Sequence, residues 1–223
     1  MSLVIAIDGP SGSGKSSASK GVARRLGLRY LDTGAMYRAV TWWMLTQGVP
    51  VEDAEAVAAR AGEPVLECGT DPDAPTIAVN GVDVSGPIRT REVTNAVSAV
   101  SAVPAVRERL VALQREIIGD GGIVVEGRDI GTVVAPDAPV KIFLTASEEA
   151  RARRRARDLA HDPAATVELT QAEQARRDRL DSTRTTSPLT KAEDAVEIDS
   201  TSLSLPEVIE AVVRLAKEST AAG

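Results

Sequence analysis

The chain has 223 residues, 43% hydrophobic and 26% charged, a composition that suits one globular unit with a sizeable buried core. A formal net charge of −6 speaks against a duplex nucleic-acid binder, which needs a basic face. Cys68 is the only cysteine, so no internal disulfide can form and a reducing compartment is expected. The start MSLVIAIDGP lacks the basic flank and apolar run of a signal peptide, and no stretch of about 18 apolar residues could span a bilayer. A cytoplasmic protein is therefore expected.

Leu3 to Ile7 is a short apolar run that reads as a buried parallel strand, followed by a Gly/Ser-rich turn and a helix from Lys15 to about Leu26. Leu28 to Leu31 predicts a second strand. Met36, Val40, Trp43, Met44 and Gln47 fall at helical spacing, and all but the last are apolar. Residues 52–61 read as helix. Between 63 and 84, short apolar runs around Asn80-Gly81, a strong hairpin signal, predict a small antiparallel insertion. Pro104 can open a helix whose apolar face is Val106, Leu110, Leu113 and Ile117. Ile123–Val125 and Val140–Leu144 read as buried strands, and an Arg-rich helix spans about 147–160. A polar loop is expected from His161 to Leu169, with Thr170 and Glu173 at capping-box spacing for a helix start. Ala195–Ile198 predicts a last strand and Leu205 a last helix. Short strands alternating with helices give an α/β fold with a parallel sheet flanked by helices.

Gly9-Pro10-Ser11-Gly12-Ser13-Gly14-Lys15-Ser16 matches the phosphate-binding pattern G-x-x-x-x-G-K-[ST] in the strand-to-helix setting that the motif requires. Glycines let the loop wind its N–H groups towards phosphate oxygens, and the helix N-terminus adds partial positive charge. Lys15 can reach the β- and γ-phosphates and Ser16 can offer its hydroxyl to Mg²⁺; Ser17 completes the ATP-binding segment. The loop is compatible with a small-metabolite kinase or with a nucleotide-driven switch. No Asn-Lys-x-Asp element of guanine-specific switches is present. A kinase needs a second anion site, and arginines supply candidates: Arg38, one turn into the helix after the second strand, and Arg128, after the strand Ile123–Val125. Both follow strand ends, where ligands gather in open parallel sheets. The carboxylate of Glu126 beside them can hold Mg²⁺ directly or through water. His161 reads as a solvated loop residue, Trp42 and Trp43 as core, and Cys68 as a small buried hydrophobe.

AspThrGlyAlaMetTyrArg (32–38), AspValSerGlyProIleArgThr (83–90), GluGlyArgAspIleGlyThrValVal (126–134) and ArgAspArgLeuAspSerThrArg (177–184) follow the loop in order. In this the chain resembles the bacterial cytidylate kinases from about residue 3 to about 215, although Glu126 stands where several members have Asp. The resemblance implies ATP with Mg²⁺ and CMP or dCMP as substrates; a monomer is expected because no exposed heptad or long apolar stripe stands out, and charge and hydropathy predict no nucleic-acid or membrane partner. It implies a core formed by 1–32, 104–150 and 185–223. An acceptor region at 33–103 carries the insertion, and a lid with its flanking helices occupies 151–184. Arg38 and Arg128 are then expected to hold the acceptor phosphate, with Tyr37 beside them. Thr33, Arg107 and Asp129 should face the cytosine, with Arg184 close by, and Ser98, Arg177 and Asp181 should contact the ribose. Of the lid arginines Arg151, Arg153, Arg154, Arg155 and Arg157, the pair Arg154 and Arg157, at i,i+3 spacing, is expected at the triphosphate.

Overall fold

The structure is a computed structural model that describes residues 3–158 and 167–221. His161 lies outside the described residues. Five parallel strands form the main sheet in the order β2-β6-β1-β7-β8: β1 (Val4–Asp8), β2 (Arg29–Asp32), β6 (Ile123–Gly127), β7 (Val140–Thr145) and β8 (Val196–Asp199). β6 is buried along its whole length, as its unbroken apolar run predicts for a strand with parallel neighbours and covered faces. In register, Ile7 of β1 and Asp32 of β2 both face Glu126 of β6, and Asp8 faces Gly127. The carboxyl ends of the three strands thus stand abreast.

One face of the sheet packs against α1 (Lys15–Leu26) and α8 (Leu205–Ala221) through Ile5, Ile7, Val22, Val124, Ile142, Val212 and Val213. The other face meets α2 (Thr33–Thr46), α4 (Arg91–Ser101) and α5 (Pro104–Ile118) through Leu31, Met36, Val40, Met44, Val97, Val100, Leu110 and Val125. Asp32 caps α2, its side chain accepting from the Ala35 N–H at 2.9 Å. Of the expected stripe on α2, Met36, Val40, Trp43 and Met44 are buried; Gln47 lies just past the helix and is exposed.

α3 is short, Ala54–Arg60. The insertion forms the predicted antiparallel sheet, β3 (Leu66–Cys68), β4 (Ile77–Val79) and β5 (Val82–Asp83), in that order. Asn80 and Gly81 turn the β4–β5 hairpin with φ of 50° and 79°, the signs of a type I′ turn. The loop between β3 and β4 also covers the free edge of the main sheet: the Tyr30 N–H donates to the Thr70 carbonyl at 2.9 Å. Cys68 is half-buried against the core, and burial pushes its thiol up to about 11.

The structure departs from the sequence-based expectations in several places. The first, second and last strands each run one residue later than expected. The helix α4, which the sequence reading left without an element, is capped by Thr90 and buries Val93, Ala96, Val97 and Val100. The buried face of α5 is Val106, Arg107, Leu110, Val111, Gln114 and Ile118, whereas Leu113 and Ile117 are only partly covered. The expected helix start at Thr170 fails. Helix α7 is already formed at Val167 and runs to Thr183, and Thr170 is buried inside it. α6 covers Glu148–Asp158 and packs along α7. A π-helical turn, Ile130–Val134, follows β6.

Candidate active site

A cleft of about 1080 Å³ opens at the carboxyl ends of β1, β2 and β6. Every site residue expected from the sequence lines it except Gly9 and Pro10, the first two residues of the phosphate loop. Gly9 has φ of 152°, and a Cβ there would stand 2.1 Å from the Leu144 carbonyl, so the loop can leave β1 this close to β7 only with glycine. Pro10 offers its carbonyl to Lys15 Nζ at 2.7 Å. Gly14, with φ of 91°, begins α1. Enclosure of the Lys15 ammonium, together with the nearby Arg128 charge, lowers its pKa to about 7.

Ser16 Oγ donates to Glu126 Oε2 at 3.0 Å, and Tyr30 donates its hydroxyl hydrogen bond to Glu126 Oε1. Burial, and next the Asp32 charge, push Glu126 up to about 7. A hydroxyl and a carboxylate facing each other at the mouth of a phosphate loop are the hard oxygen donors that Mg²⁺ takes together with phosphate oxygens, so these residues fit the ion. Asp8 binds the N–H groups of Ile130 and Gly131 at 2.9 and 2.8 Å and thereby fixes the turn after Asp129; burial raises its own pKa to about 6.

The second half of the cleft is built from arginines. Arg38 is 9% exposed and donates to the Ile88 carbonyl at 3.1 Å and to Thr94 Oγ1 at 2.9 Å. Burial, then the charges of Arg177, Arg89 and Arg155, lower it to about 9. Arg177 is lowered to about 10 by burial and then by Arg128. Cations held this close to one another define a place for an anion. Arg128 donates from Nη1 to the Gly9 carbonyl at 3.1 Å and forms an ion pair with Asp181. Burial alone would raise Asp181, but Arg128, Arg184 and Arg177 hold its carboxyl below the usual range. Ser98 Oγ lies 3.5 Å from Asp181 Oδ1, which joins two of the three expected ribose residues; the third, Arg177, reaches Ser11 Oγ at 3.5 Å.

Deeper in, Arg107 and Asp129 pair at 2.6 Å with side chains only 2% and 3% exposed. The Arg107 guanidinium also donates to the Ser101 carbonyl at 3.0 Å and lies 4.6 Å above the Tyr37 ring, leaving its Nε buried without a partner among the described residues. Tyr37, expected beside the phosphate arginines, thus supports Arg107. Thr33 is buried and donates to the Glu126 carbonyl at 2.7 Å. Arg184 donates to the Ser187 carbonyl at 2.8 Å and lies 3.5 Å from Asp181.

α6 and α7 close over the phosphate loop. Arg151 donates to the Ser11 carbonyl at 3.0 Å and pairs with Asp178, which in turn accepts from the Ser11 N–H at 3.2 Å. Arg154 binds the Ser13 carbonyl at 3.2 Å and the Ser200 carbonyl at 2.6 Å, whereas Arg157 is exposed at the rim. Arg155, not singled out from the sequence, adds to the positive field at Arg38 and Arg177. Arg89, Asp178 and Ser200 were missed as well. Ser200 stands directly after β8, so the strand-end rule could have found it; Asp178 sits inside the 177–184 motif with no local sign of its reach to residue 11.

A phosphate loop at the end of a central parallel strand, opposite a cluster of arginines and under a helical cover, defines a P-loop kinase. The model of the cytidylate kinase family matches residues 5–218. A protein named cytidylate kinase from Streptomyces coelicolor is 62% identical over 221 residues, 98% of this chain and 94% of that one. Another with that name from Streptomyces avermitilis is 59% identical over 222 residues, 99% and 95% of the two chains. The chain belongs to the cytidylate kinase family and is a nucleoside monophosphate kinase. Among solved structures, an uncharacterized protein from Eubacterium ventriosum shares the fold with a TM-score of 0.54 at 11% identity, covering 98% of this chain and 99% of that one.

Proposed function

We propose that the chain transfers the γ-phosphoryl group of ATP to CMP or dCMP, giving the diphosphate. The observation that carries this is the buried Arg107–Asp129 pair in the same cleft as the phosphate loop and the arginines Arg38, Arg128 and Arg177. Cytosine has a donor at N4 and acceptors at N3 and O2; an ionised carboxylate only accepts and a guanidinium only donates. Asp129 retains its Oδ1 and Arg107 its Nε–H for such a ring. Uracil reverses the pattern at O4 and N3, and one unmatched buried group costs about 1–3 kcal/mol, about ten- to a hundredfold.

Arg38 and Arg128 screen the charge of the acceptor phosphate, with Arg177 and Arg155 beside them. Ser98 and Asp181 hold the ribose. The N–H groups of the loop residues other than Pro10, which has none, together with Lys15, grip the triphosphate of ATP. Mg²⁺, held by Ser16 and Glu126, would neutralise charge on the phosphates. An ionised phosphate oxygen is already a nucleophile, so the protein contributes position and charge rather than a general base. The core comprises 1–32, 104–150 and 185–223, the acceptor region 33–103 and the lid 151–184; closure of the last two excludes water. No described helix is long and apolar enough to cross a membrane, and action in the cytoplasm is part of this reading.

MgATP consumption with CMP, dCMP, UMP, AMP and GMP offered singly tests it. Fast ADP formation with CMP and dCMP, at least tenfold above UMP, is expected. Equal turnover with and without any monophosphate would overturn the kinase reading.

A further inference from the structure

Tyr30 is the second residue of β2, and its ring is 2% exposed in the core beneath α1. It faces Val124 across the β2–β6 register, two residues before the point where Asp32 faces Glu126. Strand side chains alternate, so Tyr30 and Glu126 lie on the same face of the sheet, one step apart along it. The phenol reaches forward across that step to Glu126 Oε1, while Oε2 accepts from Ser16 at 3.0 Å. Glutamate has one more rotor than aspartate, and its carboxylate needs a second anchor to present a fixed oxygen. The β2 edge that carries the anchor is itself tied down, because the Tyr30 N–H binds the Thr70 carbonyl of the insertion at 2.9 Å.

We infer that Tyr30 is a positioning residue for the metal-binding carboxylate: its hydroxyl pins Glu126 Oε1 so that Oε2 stays at the Ser16 hydroxyl, where the ion of the nucleotide complex sits. The inference rests on the proposed holding of Mg²⁺ by Ser16 and Glu126. The longer side chain of glutamate spans from β6 to Ser16, and the tyrosine removes the freedom that the extra length brings.

The test uses the full chain with ADP and Mn²⁺ as the probe, free Mn²⁺ being counted by electron paramagnetic resonance. Metal-free ADP affinity and thermal unfolding are measured on the same samples. Y30F removes only the hydroxyl. It is expected to weaken Mn²⁺ binding to the ADP complex by about tenfold, the size of one hydrogen bond to a charged group. Metal-free ADP affinity should stay within about twofold. In an E126D background the shorter carboxylate lies out of reach of the phenol, so adding Y30F should change Mn²⁺ affinity by less than about threefold, which a double-mutant cycle reads directly. Unchanged Mn²⁺ affinity in Y30F, while E126Q loses it, would overturn the role of Tyr30 and leave the metal assignment standing. Unchanged affinity in E126Q would overturn the metal assignment and this inference with it. If Y30F lowers metal-free ADP affinity as much as Mn²⁺ affinity, or the same tenfold loss persists in E126D, the hydroxyl serves packing alone and the inference fails.

Discussion

Lys15 illustrates how single side chains here are set by neighbours distant in sequence. Its ammonium is enclosed by the loop and lies near Arg128, and its pKa falls to about 7 from an ordinary value of 10.5. A bound triphosphate sets negative charge beside the buried ammonium, which offsets both burial and the Arg128 charge and restores the protonated form. ATP binding in the window from about 7 to the ordinary lysine value must therefore take up a proton, and affinity must weaken as pH rises through that window. Titration calorimetry at pH 8 with metal-free ATP, in buffers of different ionisation enthalpy, should give an uptake approaching one proton. Zero uptake would show that Lys15 is already charged in the free enzyme. The same interdependence governs Arg107 and Asp129. The sequence presents each as an independent hydrogen-bonding group for a base, whereas the fold pairs them at 2.6 Å and sets both against Tyr37. Residue types were legible at these positions because charge and donor count belong to the side chain itself. Partners were not, since 22 residues separate Arg107 from Asp129.

At the scale of elements, local signals worked where the chemistry is local. Asn80-Gly81 makes its turn because of the backbone preferences of those two residues, and Asp32 and Asp53 cap α2 and α3 through hydrogen bonds a few residues long. Asp53 accepts from the N–H groups of Glu55 and Ala56 at 3.0 and 3.1 Å in an exposed setting away from the cleft. D53A should cost about 1 kcal/mol. Thermal unfolding should shift down by about 2–4 °C. CMP phosphorylation at 25 °C should not change. A loss of activity at that temperature would mean that α3 supports the acceptor region more directly than its cap alone requires. Local signals failed for α4, whose valines, serines and threonines are weak helix formers; it is helical because Val93, Val97 and Val100 find a core to enter. They failed also for the face of α5. Arg107 is buried there in the wall of the cleft, Gln114 is buried two turns further on, and a reading by hydrophobicity turns the helix towards Leu113 and Ile117 instead.

The whole molecule is acidic, with a net charge of −6, yet its cleft is lined by Arg38, Arg89, Arg128, Arg155, Arg177 and Arg184. Net charge excluded a broad basic face but could not see a basic interior. Helices α6 and α7 bring Arg151, Arg154 and Asp178 onto the phosphate loop from more than a hundred residues away, so loop and cover are read by one another. The phosphate loop and the arginine cluster line one cleft of a single chain, and the expected monomer is a matter for measurement. Light scattering should give a single species near 23.4 kDa. Specific activity should not fall on dilution to nanomolar protein. A concentration-dependent loss of activity would show that a second copy completes the site.

The sequence by itself determined the alternation of strands and helices, the phosphate loop, the antiparallel insertion and, through its ordered motifs, the family. Each of these rests on backbone preference, side-chain periodicity or residues close together in the chain. Only the tertiary structure decided that Tyr30 anchors Glu126, that Asp8 fixes the turn after Asp129, that Asp178 grips the Ser11 N–H and that Arg155 joins the arginine cluster. Those contacts depend on the register of β2 and β1 against β6 and on where α6 and α7 settle. Burial then shifts the charges of the groups so assembled, and it does so through distances that no spacing in the chain encodes.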